Sequence, residues 1–169
     1  MKEESVSVKQ GKKALFYLIV QYQTDKIEAE RTIQMGNGNR GNTMIIKNGL
    51  VFTPEGKFEK KDLYIEGEYV AKETTDNKEV EAEGCYVIPG LVDIHFHGCV
   101  RHDMCDGTEE SIQALADYEA ANGVLAICPA TMTIPEEELF QAMNAAREHK
   151  NGKGADLVGI NMEGPFVNK

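Results

Sequence analysis

Three residues in this sequence have the types and placing to do chemistry together: His95 and His97, one residue apart in "GLVDIHFHG", and Glu163 in "VGINMEGPF". On an extended strand His95 and His97 project to the same side, about 6.6 Å apart along the backbone, while Phe96 points the other way. Two imidazoles so placed can chelate one cation, and zinc and similar metals take nitrogen at about 2.0–2.1 Å. A His-x-His pair alone is more often two hydrogen-bonded or solvated residues at a strand end. Glu163 closes an apolar run just before Gly164-Pro165. If that run is a strand parallel to the first, the carboxylate emerges on the histidines' rim, where a cation would compensate its charge. It reads equally well as a surface glutamate in a loop.

Neighbouring residues carry weaker signals. Asp93 shares the face of the histidines one step deeper, either orienting a ligand imidazole or accepting from nearby backbone N–H groups. The run His102 to Gly107, "HDMCDG", could supply further ligands or close over a substrate, and turn formation and helix capping account for Asp103, Asp106 and Gly107 as well. Cys99 and Cys105 lack any sign of activation and read as small packed thiols. His149 lies in the last turn of a helical stretch, where a favourable dipole contact explains it.

The elements that must position these groups follow from periodicity. "YVIPGLVDIHFHG" is a near-continuous apolar run of the kind shown by a strand buried on both faces, and "GVLAICPAT" and "ADLVGINMEG" repeat its character. Between them lie two helical stretches. The first has Asp106 or Thr108 as cap, Glu109 and Glu110 in its first turn and Gly123 as its stop. The second has Thr133 and Glu136 in capping-box spacing and closes at Asn151-Gly152. The order βαβαβ predicts a parallel sheet, either doubly wound or part of a (β/α)8 barrel. Upstream, "MIIKNGLVFTPEGKFEKKDLYIEGEYVAKETT" shows short β-type runs punctuated by Gly, Asn and Pro-Glu-Gly, which predicts a small antiparallel sheet.

Composition bounds the partners. The chain has 169 residues and a formal charge of -10, which argues against nucleic acid or an anionic membrane surface. Residues 1–43 hold seven Lys and Arg against five Asp and Glu, and residues 44–169 eleven against twenty-three, so the acidic body begins at Met44. Residues 1–43 are read as a leader, fusion or appendage, with Met44 as the start of the body and Arg40-Gly41 encodable as a purine-rich ribosome-binding sequence. The apolar core of "KKALFYLIVQ" is too short for a membrane helix, which needs about 20 residues. Four cysteines without a Cys-x-x-Cys pair point to reduced thiols and a cytoplasmic location.

Taken together, "IKNGLVF", "DLYIEGEYVA" and "EAEGCYVIPGLVDIHFHG" resemble the N-terminal entry of the amidohydrolase superfamily. Within it, "HFHGCVRHDMCDGTEE", "NGVLAICPATMT" and "GADLVGINMEGPF" resemble the N-acetylglucosamine-6-phosphate deacetylase family from Met44 onward. The resemblance implies an α/β fold: part of a small β-sandwich domain over residues 44–85, then the first three strands of a TIM-type (β/α)8 barrel over 86–169. It implies Glu163 as principal metal ligand and His95 and His97 as ligands of a second position, for one or two divalent ions such as zinc or iron. The reaction implied is hydrolysis of N-acetylglucosamine 6-phosphate to acetate and glucosamine 6-phosphate, so the partner is a small amino-sugar phosphate, and full-length relatives are expected to be homo-oligomers. The family's aspartate general acid is expected beyond Lys169, which makes the chain a truncated and inactive part of an enzyme. A barrel fragment would leave strand edges and apolar faces open. The alternatives are a non-catalytic fragment or another amidohydrolase, such as a dihydroorotase or deaminase. Arg101 departs from the family, which usually has glycine there.

Overall fold

The computed structural model describes residues 17–23, 26–32, 43–66, 69–74 and 78–165. Of the segment read as a leader, it describes a hairpin of β1 (Tyr17–Gln23) and β2 (Lys26–Thr32), together with Thr43, and the rest of that segment lies outside the described residues.

A mixed sheet is built on β3 (Thr43–Phe52) and β4 (Phe58–Glu66), an antiparallel pair joined at Thr53–Lys57. The Pro-Glu-Gly signal forms that turn: Thr53 N–H donates to Lys57 O at 2.8 Å, and Gly56 takes φ 72°. Met44 and Ile46 point inward, as period-two alternation requires, and then the inward set shifts to Gly49 and Val51. A bulge at Asn48 makes the shift, with φ 62° and its N–H donating to Asp62 Oδ1 at 2.9 Å. Gly49 is required there, since a Cβ would stand 2.5 Å from Val87 Cγ2. Strand β5 (Tyr69–Ala71) adds antiparallel to β4. The antiparallel sheet expected of this stretch is thus β3-β4-β5, and beyond it β6 (Glu79–Glu81) and β7 (Cys85–Pro89) run parallel to β3. On its other side β7 pairs antiparallel with β1. Met44, Ile46, Val51, Leu63, Ile65, Ala82 and Val87 form the core of this part.

The second sheet is the one that matters for the site. Its strands β8 (Leu91–Asp93), β11 (Val124–Ile127) and β12 (Asp156–Leu157) are parallel, in the spatial order β12-β11-β8. Helix α1 (Glu109–Ala121) follows β8, and α2 (Glu136–Glu148) follows β11, giving the βαβαβ order that the periodicity predicts. The small hairpin of β9 (Gly98–Cys99) and β10 (His102–Asp103) precedes α1. Thr108 caps α1, its Oγ1 accepting from Ser111 N–H at 3.2 Å, and Gly123 at φ 86° lies beyond its end. Leu115, Ala116 and Ala120 of α1 pack on Ile127 and Ala155, while Ile112 meets Met104 and Ala142. Among the described residues no helix is long and apolar enough to cross a membrane.

Three expectations need correcting. The apolar run through Tyr86–His97 is not one strand: it breaks at Gly90, leaving β7 in the first sheet and β8 in the second. Nor is it buried on both faces. Leu91, Val92 and Ile94 are exposed, Ile94 to 70%, and among the described residues β8 has a hydrogen-bonded neighbour on one side only. The capping box at Thr133 and Glu136 does not form either; α2 starts after Pro135, which presents no side-chain acceptor.

Candidate functional site

His95, His97 and Glu163 come together. All lie just past strand ends, on segments that continue the ladder of the parallel sheet after regular strand geometry stops. Cys128 N–H donates to Asp93 O at 2.8 Å and Ala130 N–H to Phe96 O at 2.7 Å, tying the tail of β11 to the histidine segment. On the other side Asn161 N–H donates to Pro129 O at 2.9 Å and Thr131 N–H to Asn161 O at 3.0 Å, with Ala130 and Asn161 bridged in parallel. These bonds hold three extended segments side by side beyond β8, β11 and β12, so the side chains meet at the carboxyl end of the sheet, where parallel α/β folds gather functional groups.

Phe96 turns away and packs against the α1 core, which leaves His95 and His97 on the opposite face with ring centroids 5.3 Å apart. His95 Nε2 lies 3.1 Å from Glu163 Oε1, and His97 Nε2 lies 3.8 Å from Glu163 Oε2. Two threonines, Thr131 buried and Thr133 exposed, hold the main chain of Glu163: Thr131 Oγ1 accepts from its N–H at 3.3 Å, and Thr133 Oγ1 donates to its carbonyl at 2.8 Å. Thr133 thus serves this loop rather than the start of α2.

The donor set suits a divalent cation. Two imidazole nitrogens and one carboxylate oxygen lie within 4.8 Å of one another. Tetrahedral bonds of about 2.0–2.1 Å put donors about 3.4 Å apart, so partly exposed side chains need move only about an ångström to meet it. His97 Nδ1 is buried with no partner among the described residues, so nothing there fixes the orientation of that ring. Without a cation the same atoms form a close His-Glu-His cluster.

The remaining candidates stand apart from this trio. Asp93 Oδ1 accepts from His95 N–H at 2.9 Å, the backbone role of the two the sequence allows. His102 to Gly107 is spent on local structure: Asp103 caps a 3-10 turn over Met104–Asp106, Asp106 Oδ2 accepts from Asp103 N–H at 2.9 Å and from Ser111 Oγ at 2.8 Å, and His102 Nδ1 lies 3.0 Å from Ser111 Oγ. The hydrogen bonds from Asp103 N–H and Ser111 hold the Asp106 carboxyl below its ordinary range. Burial pushes the thiols of Cys99 and Cys105 up, as expected of packed, unactivated cysteines. His149 does more than complement a helix dipole. Its ring is 1% exposed and its Nδ1 lies 3.0 Å from Glu109 Oε1, joining the end of α2 to the start of α1. Arg101 sits in the β9–β10 turn at φ 68°, beside Val100 at φ 46°, the left-handed region in which glycine is at ease. The sequence reading passed over Asn161, whose Nδ2 lies 2.8 Å from His95 Nδ1. Its position two residues before Glu163 on an extended run, hence on the same face, is the signal that could have found it.

No family model matches the chain. It is 31% identical over 129 residues to an N-acetylglucosamine-6-phosphate deacetylase of Bacillus subtilis, covering 73% of this chain and 31% of that one. The crystal structure of N-acetylglucosamine-6-phosphate deacetylase from Pasteurella multocida superposes with a TM-score of 0.64 at 18% identity, over 75% of this chain and 35% of that one. A variant of the Mycobacterium smegmatis enzyme, solved in complex with N-acetyl-D-glucosamine-6-phosphate, superposes with a TM-score of 0.58 at 21% identity, over 76% of this chain and 34% of that one. The chain therefore spans about a third of the length of the relatives it matches. In sequence it is similar to part of the N-acetylglucosamine-6-phosphate deacetylases, and it shares the fold of the corresponding part of them.

Proposed function

We propose that this chain carries the metal-binding part of an N-acetylglucosamine-6-phosphate deacetylase, with Glu163, His95 and His97 as ligands of one or two divalent ions such as zinc or iron. The observation that carries the reading is the convergence of those three side chains, from two segments 66 residues apart, to within 4.8 Å. On this reading residues 86–169 carry the first three strands of a (β/α)8 barrel, residues 44–85 belong to a small β-sandwich domain, and residues 1–43 are a leader or appendage. The consecutive order β8-β11-β12 fits the start of a barrel and equally the first half of a doubly wound sheet. The substrate would be a small amino-sugar phosphate, the location cytoplasmic, and the complete enzyme a homo-oligomer.

A bound divalent ion would lower the pKa of water and polarise the acetamide carbonyl, which neutral water attacks slowly. The chain's own residues supply the cradle. His95 and His97 offer nitrogen from one segment, Glu163 offers oxygen from another, and Thr131 and Thr133 fix the main chain from which that carboxylate projects. The leaving amine also needs a proton donor. The resemblance gives that role to no residue of this chain, so the proposal for the chain by itself is metal binding without turnover.

Cobalt titration of chelator-stripped protein tests this. A 1:1 complex with tetrahedral d–d absorption, lost in Glu163→Gln and weakened in His97→Ala, is the expected result; protein that takes up no Co(II) or Zn(II) defeats the reading. Assay of the same samples for acetate release from N-acetylglucosamine 6-phosphate should give a blank value. Metal-dependent release lost in Glu163→Gln would overturn the assignment of inactivity.

A further inference from the structure

Asn161 touches His95 and no other member of the trio, and its contacts differ in kind from those of a packing residue. Its main chain is pinned on both sides, N–H to Pro129 O at 2.9 Å and C=O to Thr131 N–H at 3.0 Å. Its side-chain Nδ2 lies 2.8 Å from His95 Nδ1 and 3.4 Å from Ile94 O. An amide NH2 only donates, so in this arrangement His95 Nδ1 accepts and the ring proton sits on Nε2. Nε2 lies 3.1 Å from Glu163 Oε1. With its proton there, His95 has no lone pair left on Nε2 for a cation.

We infer that Asn161 is a positioning residue that selects the tautomer of His95, so that the metal-free and the cation-binding forms of that ring are exchanged by turning over the Asn161 amide. The inference rests on the reading that the trio holds a divalent ion. A neutral imidazole that binds a cation through Nε2 carries its proton on Nδ1 and needs an acceptor there. Rotation of the amide about its Cβ–Cγ bond exchanges Nδ2 for Oδ1 and provides that acceptor without moving the main chain. The bond forfeited is the one to Ile94 O, at 3.4 Å the longest that Asn161 makes. An aspartate at this position could only accept and would hold the metal-ready tautomer permanently, whereas a leucine would favour neither.

The test is long-range 1H–15N correlation of the histidine rings in the full chain, metal-free and with Zn(II), together with Zn(II) affinity by competition with a chromophoric chelator. Metal-free protein should show His95 protonated at Nε2, and zinc-loaded protein should show it protonated at Nδ1. Asn161→Asp should show the Nδ1–H form before zinc is added. Asn161→Leu should bind zinc about 10- to 100-fold more weakly with its circular dichroism unchanged. A metal-free ring already protonated at Nδ1, or Asn161→Leu binding zinc within about threefold of the parent, overturns the inference while the metal reading stands. Parent protein that takes up no zinc overturns both. Should Asn161→Leu fail to fold, the parent and Asn161→Asp spectra decide by themselves.

Discussion

Replacing Arg101 by glycine should stabilise the protein, and the reason is backbone conformation alone. Arg101 occupies φ 68° in the turn between β9 and β10, immediately after Val100 at φ 46°. A side chain in the left-handed region costs about 1–2 kcal/mol from the clash of Cβ with the following carbonyl. Glycine removes that cost but loses about 0.5–1 kcal/mol more chain entropy on folding. The guanidinium is exposed and forms no ion pair among the described residues, so nothing else is lost. The net expectation for Arg101→Gly is a gain of about 0.5–1 kcal/mol, or about 1–4 °C in Tm for a chain of this size. Thermal and urea unfolding followed by circular dichroism would measure it, with Arg101→Ala as the control that keeps a Cβ at the same φ. Alanine should give no gain. Equal stabilisation by alanine and glycine would refute the conformational argument, and a loss of stability on Arg101→Gly would show that the arginine side chain makes a contact of value. The turn also bears on the site, because Met104 N–H at its far end donates to His97 O at 3.1 Å.

Three further outcomes follow from the same geometry. The Asp106 carboxyl is held below its ordinary value by hydrogen bonds from Asp103 N–H and Ser111, so the stability it confers is complete above about pH 4 and is lost as pH falls through the lowered value; Asp106→Asn should cost about 0.5–1 kcal/mol at pH 7 in urea unfolding, and the gap to the parent should close below pH 4. Leu115, fully buried between α1 and Ile127, should cost about 2–5 kcal/mol on replacement by alanine, whereas the half-exposed Tyr118 three residues on should cost about 0.5 kcal/mol or less. Burial raises the Cys99 and Cys105 thiols, so in a Cys85→Ser, Cys128→Ser background both should react with a disulfide reagent at pH 7.5 several-fold more slowly than in the unfolded chain; equal rates would show that neither thiol is shielded.

Much of the second sheet was legible in the sequence because its signals are local. Thr108, the acidic pair Glu109 and Glu110, and Gly123 mark the limits of α1 through caps and dipole, and those physical effects act within one turn. What escaped is what depends on partners distant in the chain. An apolar run reads the same whether or not it changes sheets, so the break at Gly90 between β7 and β8 left no trace in periodicity. Thr133 and Glu136 have the spacing of a capping box, but the Thr133 hydroxyl has a competing acceptor at Glu163 O, 2.8 Å away and 30 residues on. His149 reads as a helix-dipole contact, yet its ring is buried and lies within hydrogen-bond distance of Glu109, 40 residues earlier.

The trio itself was legible for a different reason. Strand alternation places His95 and His97 on one face whatever the fold, and a parallel sheet brings the ends of its strands to one rim; these two rules suffice to bring Glu163 near them. They do not set the distance. His95, His97 and Glu163 lie beyond the last regular strand residues, Asp93 and Leu157, where alternation alone no longer guarantees direction. Single backbone bonds carry the order those extra residues: Ala130 to Phe96 on one side, Asn161 to Pro129 and Thr131 to Asn161 on the other. The middle segment, residues 128–131, therefore acts as the spacer between the two segments that bear the trio, with main-chain bonds to both. Because Thr131 both closes that ladder and accepts from Glu163 N–H, the position of the carboxylate is coupled to the main chain that holds the histidines. A cluster built this way keeps its geometry only while all three segments stay in register, which makes the tail of β11, a stretch that contributes no side chain to the trio, as necessary to it as the trio itself.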